Sequence, residues 1–233
     1  MRLTRDFYAR PVLVVARDCI GKVLVHETPA GRLRGRIVET EAYAGPEDRA
    51  AHSYGGRRTA RTEVMYGPPG HVYVFFVYGM HWNFNLVTGR AGEPQAVLVR
   101  ALEPLEGFAE IARRRGASKP WERMSMRERC ALTNGPGKLC QAFGIDRAAY
   151  GADLETGPLY LDDGTFDGSA LDAGASQGTA ADGSALTRRS KPRVSRSARI
   201  GVDYAGEWAL KPYRFYDAES AFVSVSRATR DRV

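Results

Sequence analysis

The stretch RGRIVETEAYAGPEDRAAHS, Arg34 to Ser53, starts as a strand and ends in a turn-rich loop. Alternate residues of a strand share a face. Ile37, Glu39, Glu41 and Tyr43 are therefore expected on one side, and Arg36, Val38, Thr40 and Ala42 on the other. Two carboxylates in line with an aromatic ring make an odd core face. They suit a pocket floor where a general base stands beside a flat substrate. The same pattern also fits an exposed edge strand with solvated charges, because charged residues are mostly exposed.

The chain before this stretch reads as a short helix over RPVLVVARDCIG, ending at Gly21, with Thr4 placed to cap an earlier turn. KVLVHE follows as a strand that pairs with LRGRIVETEAY through the turn TPAGRL. After it, GPEDRAAHSYGGRRTART is a polar loop, and long loops in compact domains are often functional. HVYVFFVYGMHWNFNLV reads as two strands broken at Tyr78-Gly79-Met80, and AVLVRALEPL as another strand. LEGFAEIARRRG and SMRERCALTNG look helical, and NGPGKLCQAFGI is a turn opening into a helix. Gly, Ala, Ser, Thr and Asp dominate from about 164 to 187 without periodicity, which reads as a flexible insertion. Strands mix with helices without regular βαβ alternation. The expected fold is α+β, one domain over residues 1–233, with a mainly antiparallel sheet flanked by helices.

With 233 residues, 43% hydrophobic and 26% charged, the chain has an ordinary globular composition and the length for one sizeable core. A formal net charge of +7 favours an anionic partner such as nucleic acid. The odd count of three cysteines, Cys19, Cys130 and Cys140, has no zinc-like spacing and argues against a disulfide scaffold. No apolar run approaches the roughly 20 residues that span a bilayer. The first apolar run is too short for a signal peptide, so a cytoplasmic protein is expected.

Three further groups bear on chemistry. The hairpin holds Tyr73, Phe75, Phe76, Tyr78, Trp82 and Phe84. Half of these must face the core. Tyr78 sits at the tip, where a core residue is not expected and where a ring can wedge into a stacked duplex. Tyr73 and Phe75 share a face and can stack on a base, and Asn83 and Asn85 share a face on the return strand. Lys138 in GPGKL stands at a helix start, a plausible phosphate site without Walker spacing. Arg188, Arg189, Arg193, Arg196 and Arg199 with Lys191 form either a phosphate-tracking strip or a solvated tail. Glu39, Glu41, Asp48 and His52 are close enough in sequence to be read as metal ligands. Against that, no second histidine lies near and no HExxH occurs.

Taken together, RGRIVETEAYAGPEDRAAHS, VYVFFVYGMHWNFN, VLVRALEPLEG, NGPGKLCQAFGI and ARIGVDYAGEWALKPYRFY resemble the alkyladenine (3-methyladenine) DNA glycosylase family. They occur in the family's order and cover nearly the whole chain outside the insertion. The resemblance implies a single domain on a curved antiparallel sheet, not the helix-hairpin-helix type. It implies monofunctional excision of alkylated and deaminated purines from double-stranded DNA without a metal or cofactor, and nothing in the sequence suggests more than a monomer. It places the general base on Glu41, with Arg100 beside the catalytic water. The base stacks fall on Tyr43, His52 and Phe75, the last at a position where some relatives carry tyrosine. Asn85 takes the place of the asparagine that helps exclude guanine, and Tyr78 that of the intercalating residue. Met65 and Lys138 complete the implied DNA contacts. The rival readings are a binding module without catalysis and a metal-dependent phosphodiesterase.

Overall fold

A computed structural model describes residues 1–164 and 191–224. The stretch read as an insertion lies, apart from Gly164, outside these residues, as do Arg188 and Arg189. Among the described residues, eight strands form one antiparallel sheet, carrying five α-helices. The strands are β1 Val23–Thr28, β2 Gly31–Tyr43, β3 Val72–Val77, β4 His81–Thr88, β5 Gln95–Glu106, β6 Leu159–Asp162, β7 Val194–Ser197 and β8 Arg214–Asp217. Their order is β3-β4-β5-β2-β1-β6, and β8 pairs with both β2 and β7.

The length of β2 makes it the axis of the fold. Its first half pairs with β1, from Val23 opposite Arg36 to Thr28 opposite Gly31. Its second half pairs with β8, with Glu39 opposite Tyr216 and Glu41 opposite Arg214. Its other edge pairs with β5, from Arg34 opposite Glu106 to Tyr43 opposite Ala96. Glu39 and Glu41 thus lie in a central strand, both fully buried, and the exposed-edge reading does not hold.

Counting by twos fails at one point in β2. Against β5, Ile37 pairs with Leu102 and Glu39 with Ala101, so Val38 is an extra residue. One step on, Thr40 pairs with Val99, which makes Arg100 an extra residue on the opposite strand. These irregularities turn Ile37 onto the face of Ala42, in the main core, and not onto the face of Glu41 as strict alternation requires. Val38 joins Ala101, Cys130 and Phe222 in a separate cluster. Bulges recur beside active sites because they re-aim side chains.

The main core lies on one face of the sheet. There Ile37, Ala42, Phe84, Leu86, Val97 and Val99 meet α2 (Val12–Asp18), α3 (Phe108–Arg114) and α5 (Pro136–Phe143). Thr40 Oγ1 donates to the Ala16 carbonyl of α2 at 2.8 Å. A Cβ at Gly35 would stand 2.7 Å from the ring of Phe143, so α5 packs here only against a glycine. Pro11 precedes α2 and follows a separate turn, α1 (Arg5–Tyr8), and Gly21 at φ 91° closes the segment after α2. Thr4 stands at the start of α1, but its hydroxyl makes no capping bond. Before α5 comes α4 (Met126–Ala131), opened by a capping box between Ser125 and Glu128. No helix among the described residues is long and apolar enough to cross a membrane.

Candidate active site

The sheet face opposite the main core is hollow. Three cross-strand pairs of the β3–β4 hairpin line it: Tyr73 with Asn85, Phe75 with Asn83, and Val77 with His81. Tyr43 of β2, Leu98 and Arg100 of β5 and His52 of the long loop complete its floor. Gly135 to Lys138 at the start of α5 form one rim, and Ile200 to Tyr204 the other. The cavity is about 480 Å³, within the range of small-ligand sites. Of the expected base-stacking residues, Tyr43, His52 and Phe75 all line it, and so does Asn85. Met65 lines it too, but is 1% exposed and packs against Tyr73. It is part of the wall and not part of a duplex-facing surface.

The aromatic wall is rigidly built. His52 meets Phe75 edge-on with centroids 4.5 Å apart, and Tyr73 lies 5.4 Å from Phe75 at 31°. The Tyr73 hydroxyl and His52 Nδ1 share a 2.8 Å hydrogen bond. Burial, with Arg61 and Arg57 nearby, lowers the His52 pKa from 6.5 to about 4, so the ring is neutral at physiological pH. A neutral imidazole adds no charge to the pocket. Tyr73, expected from the sequence to share a stacking face with Phe75, is here a wall residue. Asn85 Nδ2 donates to the Tyr73 carbonyl at 3.1 Å, which fixes its amide against β3.

Behind this wall sits a buried cluster of two carboxylates and two guanidinium groups. Arg100 Nε donates to Glu39 at 3.0 Å and its NH1 donates to Glu41 at 3.2 Å. Arg214 Nε donates to Glu39 at 2.7 Å. The sheet explains the arrangement, since β5 and β8 flank β2 and each contributes one arginine. The carboxylates differ in their hold. Glu39 takes four donors: Arg100, Arg214, and the amide and hydroxyl of Ser224. Glu41 takes three: Arg100, the Tyr43 hydroxyl at 2.9 Å and the Ile200 amide at 2.7 Å. An ionised carboxylate has about four acceptor positions. Glu41 therefore has one that no protein donor fills. Glu41 itself is fully buried and outside the cavity lining, whereas its donors Tyr43, Arg100 and Ile200 line the cavity. Burial opposes the charge of Arg100, but Glu41 and Glu39 outweigh it and raise its pKa.

Asp48 and Arg199 form a second buried pair, with side chains 0% exposed on both sides. Arg199 grips Asp48 in a two-pronged contact of 2.6 and 2.9 Å and donates to the carbonyls of Ala42 and Trp208. Its guanidinium lies 4.8 Å from the Tyr43 ring centroid. Arg199 thus belongs neither to a phosphate strip nor to a solvated tail. It pins the 199–204 segment to β2, which brings the Ile200 amide onto Glu41. Asp48 is fully engaged, since it also accepts from the Ala44 and Ala50 amides. Glu39, Glu41, Asp48 and His52 consequently do not converge as ligands. Among the described residues no three His, Cys, Asp or Glu side chains are grouped to hold a metal.

At the cavity mouth, Tyr78 is 83% exposed and Met80 67%. Tyr78 has φ 54° and Gly79 φ 66°, and the Met80 amide bonds the Val77 carbonyl at 3.2 Å. Positive φ at both central residues matches the twist of a hairpin. A tyrosine there is strained by about 1–3 kcal/mol. Lys138 Nζ donates to Asn134 Oδ1 at 2.8 Å on the rim. A Cβ at Gly137 would come within 2.9 Å of His81, so α5 meets the hairpin closely.

The chain is similar in sequence to known proteins over nearly its whole length. The profile described as "Methylpurine-DNA glycosylase (MPG)" matches residues 6–221. A protein of Desulfitobacterium hafniense (strain Y51), named "Putative 3-methyladenine DNA glycosylase", is 47% identical over 224 residues, covering 96% of this chain and 98% of the relative. One of the same name from Clostridium botulinum (strain Loch Maree / Type A3) is 42% identical over 226 residues, covering 97% and 100%. These similarities define the chain as a DNA glycosylase. The chain belongs to the methylpurine-DNA glycosylase family.

Proposed function

We propose that this chain extrudes an alkylated or deaminated purine from duplex DNA and hydrolyses its N-glycosidic bond with Glu41 as general base. Family membership makes it a DNA glycosylase, a hydrolase of N-glycosyl bonds. The observation that carries the finer reading is the hold on Glu41. Three donors orient it behind an aromatic pocket, with one acceptor position left.

A base inside a duplex is out of reach, and unstacking it costs a few kcal/mol. Tyr78 fills the gap that the base leaves, and Lys138 meets a phosphate at the rim. The purine stacks among Tyr43, Phe75 and His52, where each contact is worth roughly 1–3 kcal/mol. Water passes Tyr43 and Arg100 to reach Glu41. The C1′–N bond breaks and its electron pair leaves with the base, and water oxygen bonds C1′ while Glu41 takes the proton. Positive charge develops on the sugar, and the Glu41 carboxylate stabilises it electrostatically. Stacking tolerates many bases, so selectivity comes from weak glycosidic bonds in cationic alkylpurines and from Asn85 against the guanine amino group.

The test is an end-labelled duplex with one hypoxanthine, incubated with the protein in EDTA and divided between alkali and neutral buffer. Breaks confined to the alkali arm are expected. Breaks without alkali, or activity abolished by EDTA and restored by a divalent cation, would contradict the reading. Binding to undamaged duplex should weaken steeply between 50 and 200 mM salt, the range over which phosphate contacts are screened.

A further inference from the structure

We infer that Glu39 is a positioning residue for excision, which acts on Glu41 through Arg100 and is latched by Ser224 and Arg214. The inference rests on Glu41 being the base. Glu39 itself lies outside the cavity lining and is 0% exposed. Three of its four donors fall on Oε1 and one on Oε2, and its place outside the cavity lining makes it no candidate for activating water. Its contacts nevertheless have a direction. Arg100 is an extra residue on β5, outside the ladder, so the register of the sheet alone does not aim its side chain. The 3.0 Å bond from its Nε to Glu39 does so, and thereby sets where NH1 meets Glu41.

Charge gives Glu39 a second effect. Two carboxylates and two guanidinium groups sum to zero, since −2 from Glu39 and Glu41 offsets +2 from Arg100 and Arg214. Without the Glu39 charge the cluster carries a net +1 beside Glu41. The field at Glu41 then changes by one full unit of charge. The other groups facing Glu41 are Tyr43 on its own strand, the Arg199–Asp48 pair, and Tyr204 on the rim. None of them changes with Glu39. Ser224 matters because its amide and hydroxyl, at 2.7 and 2.8 Å, hold Glu39 from the end of the described chain.

The experiment measures single-turnover excision of hypoxanthine across pH, with affinity for the same duplex, in wild type, Glu39→Gln, Glu39→Asp, Ser224→Ala and Glu41→Gln. Glu39→Gln is expected to lose about 100-fold in plateau rate, the scale of a misplaced catalytic group. Affinity should stay within a few-fold, and the acid limb of the pH profile should move down as the neighbouring negative charge is removed. Glu39→Asp, which keeps the charge, should leave the limb in place. Ser224→Ala should lose several-fold in rate with the limb unmoved, and it decides the matter should Glu39→Gln fail to fold. Wild-type rates in both Glu39→Gln and Ser224→Ala would overturn the proposal, as would rate and affinity falling together with no shift of the limb. A fully active Glu41→Gln would instead sink the base assignment itself.

Discussion

The Glu39–Glu41 cluster and the β3–β4 hairpin tip stand at opposite extremes of the same pocket. The cluster is buried, electrically balanced and dense with hydrogen bonds. The tip is exposed, and its tyrosine carries a backbone conformation that only glycine adopts freely. The contrast separates two kinds of work. Chemistry needs donors fixed before the substrate arrives, because reorganisation then adds nothing to the barrier. A wedge needs a ring standing in solvent, where no packing energy offsets the strain. On this account the cluster governs the rate, and the tip governs access to the extruded nucleotide.

The largest effect should come from the cluster. Glu41→Gln is expected to slow excision by about 10²- to 10⁴-fold, the usual contribution of a general base. The measurement is single-turnover release with affinity for damaged duplex retained. A comparable loss in Tyr78→Ala, with Glu41→Gln near wild type, would invert the comparison.

Next in size is the buried pair that holds the Ile200 amide in place. Asp48→Asn leaves Arg199 inside without its counter-charge and should cost about 3–5 kcal/mol of stability. Urea unfolding reads this directly. A change under 1 kcal/mol would mean that water or rearrangement compensates the guanidinium.

Acid should weaken the aromatic wall. The folded-state pKa of His52 is about 4, against 6.5 for an exposed imidazole. The unfolded chain therefore takes up the proton first on acidification. The stability is fully present above pH 6.5 and falls between pH 6.5 and 4, by about 3 kcal/mol at most from this group. His52→Phe should flatten that part of the pH–stability profile. An unchanged slope would place the titration elsewhere.

The smallest effect belongs to the tip and has the opposite sign for stability. Tyr78→Asn places a residue that tolerates the left-handed region. It should stabilise the fold by about 1 kcal/mol while reducing excision from duplex. Lower stability in the variant would show that Tyr78 packs in ways its exposure conceals.

Much of this molecule was legible in its sequence. The turn at Tyr78-Gly79-Met80, the helix after Gly135 and the convergence of Tyr43, His52, Phe75 and Asn85 followed from pattern and resemblance. The bulges at Val38 and Arg100 did not. Alternation assumes a constant period of two, and nothing in VETEAY or VLVRAL signals where it slips. Arg199 looked like one more surface arginine because its partner, Asp48, lies 151 positions away. Ser224 and Arg214 were invisible as supports for the same reason. Long-range pairing is decided by strand order, and β8 returns beside β2 only after the rest of the sheet is built.

The most direct measurement follows ethenoadenine fluorescence in a duplex mixed with excess Glu41→Gln, alongside wild type, with free base assayed at the end. The account expects the mutant to show the rapid signal of extrusion and no released base, while wild type shows both. Free base released by the mutant at the wild-type rate would contradict it.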